Sequence, residues 1–271
     1  MKPQEAIREL VRYVQTGRNL SSKRKIFEIC LLRYLEGRGP TAIKRYVDLL
    51  VNGMLIETDV RFFIRTLNDF FIFSSLWEKE LQNTFAFRHG MNFLDVGAHI
   101  GKYTLRAALK VGQDGRVMAV EPDIGNFRLL LKNIEINGVT NCIPLNVAAY
   151  HIDAEINLFF GVTHAQHSVK EDFGRGSCKI QARALDKVLA ERRIERVDLI
   201  KVDVEGAEYE ALKGLESTLI NKNPVLIIEI MKRDEERIIE YLGSLGYRPR
   251  LLHVFLPFRG GLMFYQFKKQ H

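Results

Sequence analysis

Residues Phe93–Thr104 read FLDVGAHIGKYT. An apolar run carries Asp95 at its end, Gly97 and Gly101 follow, and a helical pattern begins at Lys102. Glycines at such places let the backbone turn sharply and approach a ligand, and the open helix N-terminus offers N–H donors. Some 20 residues beyond Gly101, the apolar run VMAV of VMAVEPD is followed by Glu121. That is where the second strand of a βαβ unit carries the acid that binds both hydroxyls of a ribose.

Outward from this unit the chain alternates apolar strands with helical stretches. The strands read NFLDVG, RVMAVEP, CIPLNVAAY, INLFF, VDLIKVD and PVLIIEI; the helices include Lys102–Val111, Ile124–Asn137 and Ala207–Leu219. Alternation of this kind predicts an α/β fold, a parallel sheet covered by helices on both faces. YRPRLLHVFL and GLMFYQFKK, flanking Pro257–Gly261, predict an antiparallel hairpin at the sheet edge.

Upstream, Ala6, Ile7, Leu10, Val11 and Val14 recur at helical spacing. Ser22 precedes a second such run through Ile26, Phe27, Cys30, Leu31, Tyr34 and Leu35, and Ile43, Tyr46, Val47 and Leu50 form a third before Gly53. Residues 1–53 therefore read as a small basic helical region and residues 54–271 as the main domain. MLIETDVRFFIRT and FFIF, separated by Leu67, Asn68 and Asp69, suit a hairpin. Ser75 is placed to cap a helix through Leu76, Trp77, Leu81 and Phe85, with Glu78 completing a capping box and His89 and Gly90 ending it.

With 271 residues, 46% hydrophobic and 27% charged, the chain has room for one large domain and an appendage, and it is unlike disordered or collagen-like sequences. Cys30, Cys142 and Cys178 are scattered, with no C-x-x-C and no histidine at ligand spacing, so neither a disulfide framework nor a zinc site is indicated. Met1–Asn19 lacks the apolar core of a signal peptide and no run approaches a membrane span, so a cytoplasmic protein is expected. The net charge of +7 is local, because Met1–Arg45 holds 11 Lys or Arg against 4 Glu. A basic face of that size can meet nucleic acid, anionic lipid or an acidic substrate. The absence of an aromatic stacking pattern favours a plain solvated surface.

Dinucleotides and S-adenosylmethionine both present a ribose to the Glu121 position, and the glycine loop separates them. Nicotinamide enzymes use G-x-G-x-x-G to set a helix N-terminus against a pyrophosphate. Here the pattern is D-x-G-x-x-x-G, with His99 where their second glycine sits, so a pyrophosphate would meet a side chain. The loop resembles the first motif of class I methyltransferases. Six segments in order narrow the resemblance to the FkbM family of S-adenosylmethionine-dependent methyltransferases: LDVGAHIGKYT, AVEPDIGNFRLLLKNIEIN, LNVAAY, ALDKVL, DLIKVDVEGAEYEALKG and VLIIEI, spanning Phe93–Ile230.

The resemblance implies a Rossmann-like, seven-stranded sheet whose last strand is antiparallel. It implies a cofactor loop at Asp95, Gly97, Ala98, His99 and Gly101. Glu121 becomes the ribose acid, Pro122 and Asp123 its adenine-side neighbours, and Asn146–Ala148 the adenine edge. His99 stands where asparagine is commonest. Trp77 and Glu78 match an aromatic–acid pair before the first core helix. O-methylation, often of hydroxyls on sugars or natural products, is implied as well.

IKVDVEGAEYEAL, residues 200–212, sets Lys201 inside an apolar strand and Asp203, Glu205 and Glu208 beyond it. Ligands of open α/β sheets lie beyond the carboxyl ends of the strands, so Asp203, Glu205 and Glu229 face the same crevice as the glycine loop. A buried Lys201 needs a partner, Asp203 or Glu229. Glu205 and Glu208 also suit a helix N-terminus, and Lys201 with Glu229 a structural ion pair. An attacking alcohol needs a base. The candidates are Asp203, Glu205, Lys201 and Glu229 as the floor of the acceptor site, with His167, beside His164 and Ser168, as a second base. No metal site is expected. The acceptor is expected to be a hydroxylated small molecule, sugar or lipid-linked glycan. The alternatives are an RNA methyltransferase that grips phosphates with the basic helices, and a non-catalytic cofactor-binding module.

Overall fold

The computed structural model describes residues 3–36, 47–76, 78–255 and 261–269. Helices Pro3–Gln15 and Leu20–Glu36 come first. The second is capped by Asn19, whose side chain accepts from Ser22 N at 2.8 Å; Ser22 instead receives Glu57 N at 3.2 Å. Strands β1 (Met54–Glu57) and β2 (Arg61–Ile64) then form an antiparallel pair turning at Thr58–Val60. The expected hairpin therefore closes inside MLIETDVRFFI. FFIF is part of helix Leu67–Phe73, started by a capping box in which Thr66 Oγ1 accepts from Asp69 N and Asp69 accepts from Thr66 N. The cap overrides the strand preference of the aromatic residues, because it satisfies two orphan amides at once.

The helix expected after Ser75 is also shorter, running only from Lys79 to Thr84. It begins at Glu78 in left-handed conformation (φ 53°) without a side-chain cap. Glu78 is used elsewhere, as described below, and Ser75 contributes its carbonyl to Gln82. Trp77, Ile43, Tyr46 and residues 257–260 of the expected C-terminal turn lie outside the described residues.

The main sheet contains β3 (Asn92–Val96), β4 (Arg116–Val120), β5 (Cys142–Leu145), β9 (Leu199–Val202), β10 (Val225–Met231), β11 (Tyr247–Phe255) and β12 (Leu262–Lys269). Its order is β11-β12-β10-β9-β3-β4-β5, parallel throughout the β10 to β5 run, with β12 antiparallel to both neighbours. This is the expected seven-stranded sheet with its C-terminal hairpin at the edge. The central strands are buried on both faces, which is why they read as unbroken apolar runs. Strand order reverses between β3 and β9, opening a crevice beyond their carboxyl ends.

Two apolar segments depart from the expected sheet. CIPLNVAAY divides at Asn146, so that β5 stays in the main sheet while β6 (Ala148–Ala149) joins a second, three-stranded sheet. INLFF belongs to β7 (Ala154–Phe159) of that same sheet, paired antiparallel with β8 (Ser177–Arg183). Burial alternates along β7 and β8, as expected of strands covered on one face only. The helix read over Ala207–Leu219 is two, Glu208–Lys213 and Glu216–Asn221. They break at Gly214, where a side chain would sit 2.0 Å from Tyr150 O, and the Asp186 carboxylate caps the second through Ser217 N and Thr218 N.

The upstream segment shares its interior with the sheet's helices. Ile26 and Ile29, wholly buried, form one cluster with Phe62, Phe70, Phe73, Ile100, Leu105 and Leu129. Asn133 and Asn137 bind the β2 backbone at Phe63 N and at Arg61 N and O, and Arg106 binds Asp59 at 2.6 and 2.9 Å. Replacing Ile29 by Ala is therefore expected to cost about 3 kcal/mol of global stability. Denaturant unfolding followed by far-UV circular dichroism and by tyrosine fluorescence should shift as one transition. An early, separate N-terminal transition would contradict the shared core.

Candidate functional site

The first wall of the crevice is the loop after β3. Gly97 (φ 82°) is packed against the neighbouring strand end so closely that a Cβ would lie 1.7 Å from Asp203 O. Gly97 N and Ala98 N both donate to Val120 O at 3.0 Å, tying the loop to β4. Gly101 (φ 102°) is the N-cap of helix Lys102–Val111. Between them His99 takes a left-handed conformation (φ 52°) and directs its N–H to Glu121 Oε2 at 2.9 Å.

Glu121 Oε1 accepts from Asp123 N at 3.0 Å and from Asn126 Nδ2 at 3.2 Å. Burial lifts its carboxyl to about 7, against the pull of these hydrogen bonds. The imidazole of His99 is buried beside Asp69, with Nε2 4.0 Å from Oδ1, and burial lowers it to about 4, so it is neutral. Asp123 spends one oxygen on Asn126 N, capping helix Ile124–Ile136. Asn146 donates to both Glu121 O and Pro122 O at 2.9 Å, holding this segment from behind.

The second wall grows from β9 and β10. Lys201 Nζ lies 3.0 Å from Asp203 Oδ2, 3.7 Å from Asp95 Oδ1 and 3.2 Å from Gly97 O. Burial opposes its charge, but Asp203 and Asp95 outweigh that, and the ammonium is held more firmly than in water. Of the two partners expected for Lys201, the structure pairs it with Asp203 and not Glu229, and adds Asp95. Lys201 is in register with Asp95 on one side and Ile227 on the other, which leaves Glu229 two residues farther on.

Burial, followed by the nearby Asp203 and Glu205 charges, lifts the Glu229 carboxyl well above the ordinary range. Glu205 adopts a left-handed conformation (φ 54°). Glu208 Oε1 turns back to accept from Val204 N and Gly206 N, fixing the loop that carries Glu205. Glu78 accepts from Lys102 Nζ at 2.7 Å and Tyr103 Oη at 3.0 Å.

These walls enclose one cavity of about 690 Å³. Gly97, His99, Glu121, Pro122 and Ala148 line it on one side, and Asp203, Glu205 and Glu229 on the other. Asp95, Ala98, Gly101, Lys201, Asp123 and Asn146 stand behind that lining. His167 lines it too, yet not beside the carboxylates. Its Nδ1 accepts from Gly161 N at 3.0 Å and its Nε2 lies 3.9 Å from Asp123 Oδ2, so its lone pair is already engaged. Arg33, Asn68, Phe71 and Ile72 complete the lining from upstream, and sequence reading did not place them there. Asn68, Phe71 and Ile72 fall in the segment expected to be a hairpin and Arg33 on an upstream helix, and only the fold carries them to the crevice.

The cavity suits an adenosyl cofactor. Gly97 lets the loop pack directly against the end of β9 at the cavity wall, and Glu121 retains acceptor capacity on Oε2 while lining the cavity. Residues 95–249, more than half of the chain, match the family described as the methyltransferase FkbM domain, and the chain belongs to that family. Its cofactor is S-adenosylmethionine. It is 28% identical over 133 residues to the hexuronic acid methyltransferase AglP of Haloferax volcanii, covering 49% of this chain and 53% of that protein. It is 26% identical over 153 residues to a probable cobalt-precorrin-6B C(15)-methyltransferase of Sulfurisphaera tokodaii, covering 51% and 79%. The crystal structure of the FkbM methyltransferase of Methylobacillus flagellatus superposes with a TM-score of 0.51 at 19% identity, over 97% of this chain and 59% of that one.

Two outcomes follow for this wall. Gly97→Ala should lose more than about 3 kcal/mol of stability in chemical denaturation, since the new Cβ meets a backbone carbonyl in a conformation that resists side chains. Ribose hydroxyls donate to a carboxylate, so S-adenosylhomocysteine affinity should weaken as pH falls below about 7, by up to about tenfold per unit. Calorimetric titration between pH 5.5 and 8.5 measures this, and Glu121→Gln should bind weakly with a flat pH profile.

Proposed function

We propose that this methyltransferase transfers its methyl group to a hydroxyl oxygen of a sugar, a lipid-linked glycan or another small molecule. The observation that carries the reading is the single cavity joining the glycine loop and Glu121 to Asp203, Glu205 and Glu229. The likeness to a protein named as a hexuronic acid methyltransferase supports a sugar acceptor. When bound, S-adenosylmethionine supplies a methyl group already activated on a sulfonium.

The chain's own task is alignment and proton removal. Glu121 is assigned the ribose hydroxyls, with Asp95, Gly97, Ala98, His99 and Gly101 shaping the loop, and Pro122, Asp123, Asn146 and Ala148 the adenine side. Lys201 pairs with Asp203 at 3.0 Å and so positions its carboxylate near the acceptor. Glu229 is assigned the base. It lines the cavity, and burial raises its proton affinity toward that of a useful general base. Glu205 borders the same space and adds to that effect. His167, engaged by Gly161 and Asp123, is assigned to the adenine-side wall in place of the base role.

The same reading gives catalysis to residues 54–271 and leaves Arg33 of the basic first 53 residues at the edge of the acceptor space. It takes the protein to be cytoplasmic, where free Cys30, Cys142 and Cys178 stay reduced. An acceptor screen with labelled methyl donor over hydroxylated sugars, uronic acids, lipid-linked glycans and RNA tests it, with products read by mass spectrometry. Glu229→Gln should lower kcat by about 100-fold or more and retain S-adenosylhomocysteine affinity. A base acts when ionised, so wild-type kcat should rise with pH through the titration of Glu229, and the variant should lose that limb. A product methylated on nitrogen or carbon, or a variant with unchanged kcat, would overturn the assignment.

A further inference from the structure

Helix Leu20–Glu36 is apolar on two sides. Ile26 and Ile29 are buried in the shared core, while Leu20, Phe27, Leu31 and Tyr34 remain 84%, 46%, 48% and 49% exposed. At 3.6 residues per turn these four lie within roughly 60° of one another around the helix and extend for about 21 Å. Leu49 and Leu50, 13 and 14 residues beyond the end of that helix, are 67% and 51% exposed. A stripe of this length is more than the isolated apolar side chains that any protein surface carries.

Two cations border it, one of them, Arg24, paired with Glu28 at 3.0 Å. Lys23 and Arg24, both exposed, fall on opposite sides of the stripe by the same helical spacing. The whole segment Met1–Arg45 carries 11 Lys or Arg against 4 Glu. Apolar side chains flanked by cations match one kind of surface well: the leucines and aromatics enter the acyl boundary of a bilayer while the cations meet lipid phosphates. Nucleic acid would satisfy the charges and leave the stripe in water. Among the described residues no helix is long and apolar enough to cross a membrane, so attachment would be to the surface.

We infer that the outer face of helix Leu20–Glu36 docks onto an anionic lipid bilayer. Arg33 of the same helix lines the crevice, so docking brings the crevice mouth within about one helix diameter, roughly 10 Å, of the headgroups. The docking stands independently of which acceptor the enzyme uses.

The test is co-sedimentation of the full chain with vesicles of phosphatidylcholine alone and of phosphatidylcholine with about a third phosphatidylglycerol. Binding to the anionic vesicles should exceed binding to neutral ones by about tenfold and weaken as salt is raised. Phe27→Ser with Leu31→Ser, and separately Lys23→Glu with Arg24→Glu, should each reduce it by about tenfold. Unchanged calorimetric affinity for S-adenosylhomocysteine would verify that both variants are folded. Failure to bind either vesicle, or variants that bind like wild type, would overturn the inference. So would a concentration-dependent dimer in analytical ultracentrifugation that the same substitutions dissolve, since a second copy would then cover the stripe.

Discussion

The ammonium of Lys201, set between Asp95 and Asp203 at the point where strand order reverses, is the constraint on which the rest of the site depends. Burying Lys201 and Asp95 is costly, and the arrangement survives only because each charge has a partner. Asp95 also receives the hydroxyl of Thr104 at 2.6 Å, and Lys201 also donates to Gly97 O. One side chain thereby couples β3, β9, the glycine loop and the start of the following helix. The close approach of Gly97 to Asp203 O belongs to the same arrangement, since a bulkier residue would push apart the two strand ends that the ion pairs hold together.

A second buried pair joins the upstream segment to this centre. Lys102 and Tyr103 both bind Glu78, which lines the cavity from a left-handed position just before its helix. Aromatic packing supports the connection: Phe62 and Phe73 stack at 4.0 Å between ring centres, and Tyr13 meets Phe70 and Phe71. The cavity is thus closed by residues whose positions are fixed twice, by apolar burial on one side and by buried charge on the other. Such double fixation suits a reaction in which alignment supplies much of the rate.

The two walls also differ in electrostatic character. On one side Glu121 is held by backbone and amide donors, and the nearby imidazoles of His99, His164 and His167 are pushed toward the neutral form by burial. On the other side Asp203, Glu205 and Glu229 crowd together with Lys201 paired to only the first. Burial, with the nearby Asp203 and Glu205 charges, raises the proton affinity of Glu229, and that is the condition for it to accept a proton from an acceptor.

By itself the sequence determined the main sheet and its ligand end, because β3, β4, β9 and β10 are buried on both faces and must be continuously apolar, and because Gly97, Gly101 and Glu121 are residue types that a cofactor loop requires. It also located the ionisable groups after β9, since charge at the end of a buried strand needs a reason. It misjudged Phe70–Phe73, where a capping box outweighed aromatic strand preference, and it merged β5 with β6, because a change of sheet leaves no mark in hydropathy. Only the tertiary structure decided that Lys201 pairs with Asp95 and Asp203, that His167 turns to Asp123, and that Arg33 and Phe71 reach the crevice. Those outcomes depend on strand register and on the packing of segments distant in the chain, and neither is encoded in local spacing.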